Sequence, residues 1–320
     1  MKKIVVMGGG TGLATLLRGI RDYPIDISAI VTMTDDGASS GRLRKDVGIL
    51  PPGDIRKCIA ALSDDETMLT ELFEYRFKKG FGISGHSVGN LLITALKEMT
   101  GSFELAIAEI SSILNIRGKV LPASLTDVDL VADFEDGRKV IGESKITKYG
   151  YKHKITQISL TKAAKINPEA LESIENADVI FVGPGSLYTS VIPNFLPTKM
   201  KKTFNDSTAF KVFVCNVSTE RGETEGFTVS DHIESLRKHG VACDAVLVNS
   251  NTLASCTGDG YVCSVPNDSE GIDHICIYSD LVSEENPLYH DHNKLGVAAW
   301  KIILGSQKIK KNTTRKPIVL

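Results

Sequence analysis

The sequence predicts an α/β fold on a doubly wound, mostly parallel sheet carrying a β-rich insertion, and three observations lead there. The chain opens Met1-Lys2-Lys3-Ile4-Val5-Val6-Met7, a short apolar strand, and runs straight into Gly8-Gly9-Gly10-Thr11-Gly12. Leu13-Ala14-Thr15-Leu16-Leu17 follows with the apolar spacing of a helix. The same strand–turn–helix texture returns at Val179-Ile180-Phe181-Val182-Gly183-Pro184-Gly185-Ser186. Strand and helix patterns also alternate along most of the chain, the pattern of βαβ units with right-handed crossovers.

The elements follow in order. Ile27 to Met33 reads as the second strand. Helical patterns occupy Gly53 to Leu62, Glu66 to Phe77, His86 to Met99 and Phe103 to Leu114, with Asp54 a potential cap of the first. Residues 118 to 160 alternate in β fashion, and Asp136-Gly137 between two such runs predicts a hairpin. Alternation resumes with Pro168 to Asn176, Val179 to Val182, Val212 to Cys215, His232 to His239 and Ala245 to Val248. One domain over residues 1–320 is expected, with the insertion at about 118–160 and a basic tail, about 306–320, that frays.

Composition narrows the function. The 320 residues are 42% hydrophobic and 24% charged, with a formal net charge of −2. That profile suits a globular protein and argues against a general nucleic-acid binder, which carries a basic surplus. The apolar run after Lys2-Lys3 is cut by glycines too early for a signal peptide, and no run reaches membrane-spanning length, so a cytoplasmic location is expected. The six cysteines lack a C-x-x-C pair, which favours buried reduced thiols over disulfides or zinc.

Candidate site residues cluster in loops that follow strands, where open α/β sheets bind ligands. Gly9, Gly10, Thr11 and Gly12 let an anion approach bare backbone at a helix N-terminus. Gly8 and Gly10 match a dinucleotide fingerprint, but Leu13 takes the place of its third glycine, and no Lys-Ser/Thr follows to make a P-loop. The loop Thr34 to Arg44 brings Asp35, Asp36, Ser39, Ser40, Arg42 and Arg44. A carboxylate there suits Mg²⁺ or a ribose hydroxyl, and the arginines suit phosphate. Asp54 follows Pro51-Pro52-Gly53, and His86 and Asn90, four apart, would share a helix face. Gly185, Ser186, Tyr188 and Thr189 make a second, uncharged cradle fit for a diphosphate or sugar. Asn216 to Gly226, including Thr219, is a polar loop suited to a lid or to base recognition. His290-Asp291-His292 is a weaker metal motif, and no Gly-x-Ser-x-Gly surrounds Ser186.

Together these motifs resemble the gluconeogenesis-factor family, relatives of the 2-phospho-L-lactate transferases. The resemblance rests on Gly8 to Gly12, Thr34 to Arg44, Gly53 to Arg56, Gly85 to Leu92, Gly183 to Ser190, Asn216 to Gly226 with Val229 to His232, and His290 with Lys294-Leu295. Ala38 stands where the family usually has glycine, and Ser218-Thr219-Glu220-Arg221 departs from a usual Met-Thr-Gln-Pro. The resemblance implies a Rossmann-like sheet and a UDP-sugar ligand, with a role in carbon use, cell shape and wall synthesis during gluconeogenic growth. A nicotinamide dinucleotide is the lesser ligand. The alternative implied is a Mg²⁺-dependent phospholactyl transferase, with Asp36 on the metal and Arg42 and Arg44 on leaving-group charge. A homodimer is expected, and Thr313-Thr314 between basic residues would be open to a kinase.

Overall fold

The computed structural model describes residues 1–63, 68–251, 255–269, 273–311 and 317–320. Eleven strands are present among them: β1 (Lys2–Gly8), β2 (Ile25–Val31), β3 (Lys119–Pro122), β4 (Leu130–Phe134), β5 (Lys139–Ile141), β6 (Ile155–Leu160), β7 (Val179–Val182), β8 (Phe210–Val214), β9 (Ala245–Asn249), β10 (Ile275–Ser279) and β11 (Ile318–Val319). Eight of these form one sheet in the order β11-β10-β9-β8-β7-β1-β2-β3, every pair parallel. The other three make a small antiparallel sheet, β5-β4-β6.

Alternation along β1 explains why its residues are apolar on both sides. Ile4 and Val6 enter one core with Leu13, Leu16 and Leu17, while Val5 and Met7 enter the other with Ile180, Val182 and Leu187. A parallel sheet covered by helices on both faces needs continuous apolar strands, as found here.

Four expectations are corrected. Residues Ala38–Val47 form a helix rather than a loop, capped at its end by Gly48 in the left-handed region. The residues from 118 do not all belong to the insertion, because β3 pairs with β2 in the main sheet. The described part of the tail does not fray. The last long helix, His292–Lys310, is held by buried Ile309, and Ile318–Val319 pairs with β10. Thr313 and Thr314 lie outside the described residues. Finally, Cys256 and Cys263 form a disulfide, although Cys58, Cys215, Cys243 and Cys276 are free thiols as expected. The pair stands on facing chains of a hairpin, with Cα atoms 4.0 Å apart, a closeness that sequence spacing does not reveal.

The helix that follows β1, Gly10–Ile20, is fixed by a crossing with His292–Lys310. A Cβ on Gly296 would lie 2.1 Å from the Gly19 carbonyl oxygen, and one on Gly19 would lie 2.2 Å from that of His292. Backbone contact at this crossing sets where the N-terminus of Gly10–Ile20 points. Gly296→Ala should therefore lower stability by about 1–3 kcal/mol, the usual cost of overpacking. An unchanged urea midpoint would show that the helices part without penalty.

Candidate functional site

Strand order reverses between β1 and β7: β2 and β3 continue on one side, and β8 to β11 on the other. The crevice beyond the C-terminal strand ends at such a reversal is where doubly wound sheets bind ligands. Both glycine corners lie there, after β1 and after β7, and they touch. A Cβ on Gly12 would meet the Pro184 carbonyl at 2.8 Å, and one on Gly185 would lie 2.9 Å from the Gly9 oxygen. The helix Gly10–Ile20 starts with Gly9 as an extended N-cap, without a side-chain cap and without an acid in its first turn. Gly10 has φ 69°, a conformation that glycine adopts without strain.

Two side chains hold these corners. Asp54 sits in the first turn of the helix Gly53–Leu62 but does not cap it, since Pro52 is the N-cap. Its Oδ2 instead accepts from the Gly10 N–H at 2.7 Å, and its Oδ1 accepts from Lys57 Nζ at 3.0 Å. Asn216, just beyond β8, binds Gly185 twice. The Gly185 N–H donates to Asn216 Oδ1 at 3.2 Å, and Asn216 Nδ2 donates to the Gly185 oxygen at 2.9 Å.

These groups line a cleft of about 570 Å³. Among the residues expected at a site, it receives Gly10, Thr11, Gly12, Asp35, Asp54, Gly185, Ser186, Asn216 and Thr219, with Gly9 beneath. Lys57 and Glu143, which the sequence did not single out, join them, with Glu220, Arg221 and His290, which it named only within larger motifs.

The remaining expected residues do not line the cleft, and each is engaged elsewhere. Asp36, the expected metal ligand, accepts at Oδ1 from the Ser144 N–H at 2.8 Å and from Ser144 Oγ at 2.6 Å. It thereby anchors the helix Glu143–Gly150 and places Glu143, rather than itself, at the cleft. Ser39 is bonded to His86 Nδ1 at 2.8 Å and Asn90 Nδ2 at 2.9 Å, forming a buried polar cluster. His86 and Asn90 do not share a helix face, because the helix begins at Val88 with Ser87 as its cap. Ser40 Oγ accepts from the Gly53 N–H. Arg42 Nη2 donates to the Ser84 oxygen at 2.7 Å, and Arg44 pairs with Asp127 and Asp129. Tyr188 OH is bonded to Ser235 Oγ, and Thr189 Oγ1 donates to Glu223.

Burial raises three carboxyls of the cleft, Asp35, Glu143 and Glu220. Asp35 is raised by desolvation and then by the charge of Asp54. Glu143 is raised well above its ordinary value by desolvation and then by Asp35. Glu220 is raised by desolvation, and Glu223 behind it is pushed up to about 8 by desolvation and then by Glu220. His290 is lowered to about 4 by burial, so its ring is neutral at pH 7.

Residues 4–271 match the family described as 2-phospho-L-lactate transferase CofD. A gluconeogenesis factor of Halalkalibacterium halodurans is 51% identical over 256 residues, covering 79% of this chain and 79% of its own length. One from Bacillus subtilis is 49% identical over 255 residues, 78% of this chain and 80% of that protein. A relative from Nostoc sp. is 52% identical over 257 residues, and the match spans 55% of its length. The crystal structure of a UPF0052 family member from Bacillus halodurans has a TM-score of 0.88 at 44% identity, covering 93% of this chain and 99% of that one.

Glu223 offers a test of this electrostatic picture. Its folded pKa, about 8, lies above its ordinary value of 4.5, so the stability it contributes is complete below pH 4.5. That stability is lost as pH rises to about 8, because the unfolded carboxyl ionises first. Glu223→Gln should gain on the native protein across this window, by up to roughly 5 kcal/mol. Parallel stability–pH curves for the two proteins would refute the assignment.

Proposed function

Since the chain belongs to the CofD-like family and, within it, to the gluconeogenesis factors, we propose that it is a cytoplasmic nucleotide-sugar binder that regulates carbon use, cell shape and wall synthesis during gluconeogenic growth. The observation that carries this reading is the contact between the two glycine corners at the reversal of strand order. The diphosphate rests on Thr11, Gly12 and Ser186, where backbone N–H groups and the helix N-terminus favour an anion, beside Gly185, whose own N–H is held by Asn216. Lys57, on the helix Gly53–Leu62, and Arg221, in the loop after β8, supply positive charge. Asn216 holds Gly185 in place from the loop after β8. No helix among the described residues is long and apolar enough to cross a membrane.

A second reading, a Mg²⁺-dependent transferase acting on a nucleoside-diphosphate-linked donor, is favoured by the neighbouring carboxylates Asp35 and Asp54. Among the described residues no group of three or more His, Cys, Asp or Glu is placed to hold a metal alone. Mg²⁺ needs less, since it is commonly held by one or two carboxylates together with phosphate oxygens and waters. Asp35 and Asp54 fit that role, and Asp36 does not. The ion would neutralise diphosphate charge. Arg42 and Arg44 are committed elsewhere, which leaves Lys57 and Arg221 as the cations of such a site.

Calorimetry with UDP-N-acetylglucosamine, UDP-glucose, GDP and NAD, each with and without Mg²⁺, separates the readings. Preference for the UDP-sugars without turnover is expected. Preference for GDP with Mg²⁺-dependent diphosphate turnover would establish the transferase, and no binding of any of the four would end both readings. Asp35→Asn should weaken UDP-sugar binding about tenfold in Mg²⁺ and little in chelator. An equal loss in both conditions would exclude metal bridging by Asp35.

A further inference from the structure

Two of the six cysteines differ in kind from the rest. Burial raises Cys58 and Cys276 and pushes Cys215 and Cys243 up to about 12, which keeps those thiols protonated and unreactive at neutral pH. Cys256 is exposed, Cys263 is partly exposed, and the two are joined. Their bond closes a short hairpin in which the Thr257 N–H donates to the Val262 oxygen and the Ser264 N–H to that of Ser255, both at 2.8 Å.

That hairpin is a wall of the cleft, since Thr257 and Val262 line it. It is joined to the loop after β8 by a reciprocal pair of bonds. The Thr219 N–H donates to the Cys263 oxygen at 2.7 Å, and the Cys263 N–H donates to Thr219 Oγ1 at 3.0 Å. Its tip grips the cleft residue Arg221. The guanidinium carbon lies 3.7 Å from the ring centre of Tyr261 and 4.5 Å from that of Tyr151, and Nη1 lies 3.7 Å from Asp259 Oδ2. A guanidinium stacked between two rings is attracted to both faces and held in one orientation. The covalent tie therefore acts on three cleft elements together: Thr219, Arg221 and the hairpin itself.

We propose that Cys256 and Cys263 are a redox modification site, whose bond orders this wall of the cleft and so raises its affinity for an anionic ligand. The last step rests on the nucleotide reading given above. The oxidant is a small-molecule disulfide of the glutathione type. The Cys256 thiolate attacks one of its sulfurs, the reagent's S–S bond breaks, and one thiolate leaves to take up a proton. The Cys263 thiolate then attacks the Cys256 sulfur of the mixed disulfide and expels the second thiolate, which is protonated in turn. The cysteine pair has given up two electrons and two protons, and the reagent has become two thiols. An exposed dithiol reverses the sequence. Once the bond is cut, the hairpin keeps its backbone bonds but loses the closure that holds Tyr261 and Asp259 against Arg221.

The test uses the full chain equilibrated in oxidised and in reduced glutathione buffers. Thiol labelling with peptide mass analysis reads the pair, hydrogen exchange reads the Thr219 and Cys263 amides, and calorimetry with UDP-glucose reads the cleft. The pair should oxidise while the other four cysteines stay free. Reduction should speed exchange at both amides about tenfold and weaken UDP-glucose binding at least about fivefold. A Cys256→Ser/Cys263→Ser double variant should show the reduced behaviour in both buffers, and chemically reduced native protein makes the same comparison should that variant fold poorly. A pair that stays reduced, exchange rates that ignore the bond, or an affinity equal in both states would overturn the proposal. Should UDP-glucose bind neither state, the nucleotide reading falls, and the exchange rates alone decide whether the bond orders the wall.

Discussion

The close approach of two backbone segments is the constraint on which the rest of this molecule depends. Where strand order reverses, the Gly9–Gly12 turn and the Pro184–Gly185 turn lie within van der Waals contact, and a side chain on Gly12 or Gly185 has nowhere to go. Such contact requires glycine on both sides and external support for the polar groups left open. Asp54 and Asn216 give that support from helix and loop, Asp54 with one hydrogen bond to Gly10 and Asn216 with two to Gly185. The floor of the cleft is thus made of peptide groups held in place beforehand, which lowers the ordering cost of binding an anion.

The acids around this floor are a second consequence of burial. Asp35, Asp54, Glu143 and Glu220 all face the cleft, and four full negative charges there would oppose an anionic ligand. Desolvation shifts three of them, Asp35, Glu143 and Glu220, towards the neutral acid. Each shift runs in the direction that lessens the negative charge an incoming anion would meet.

How much could be read in advance follows from how local each feature is. β7 and the helix Gly53–Leu62 were legible to the residue, because apolar runs and turn residues mark them. The glycine corners were legible for the same reason: backbone freedom is written in residue type. The helix Ala38–Val47 was not, since Ser39 and Ser40 are buried by hydrogen bonds to His86, Asn90 and Gly53 from distant segments, not by an apolar stripe. Asp35 and Asp36 are adjacent and chemically alike, and only the fold turns one to the cleft and the other to Ser144. Glu143 arrives through the insertion, more than a hundred residues from the partner that places it, so no local spacing announces it.

The outer margins of the main sheet have a consequence of their own. At one side stands β11, two residues long, and at the other β3, four residues ending in Pro122, which has no N–H to offer. Eight parallel strands would otherwise present a template on which further copies could stack indefinitely. With both borders this brief, accretion by strand addition to the main sheet has little to grip.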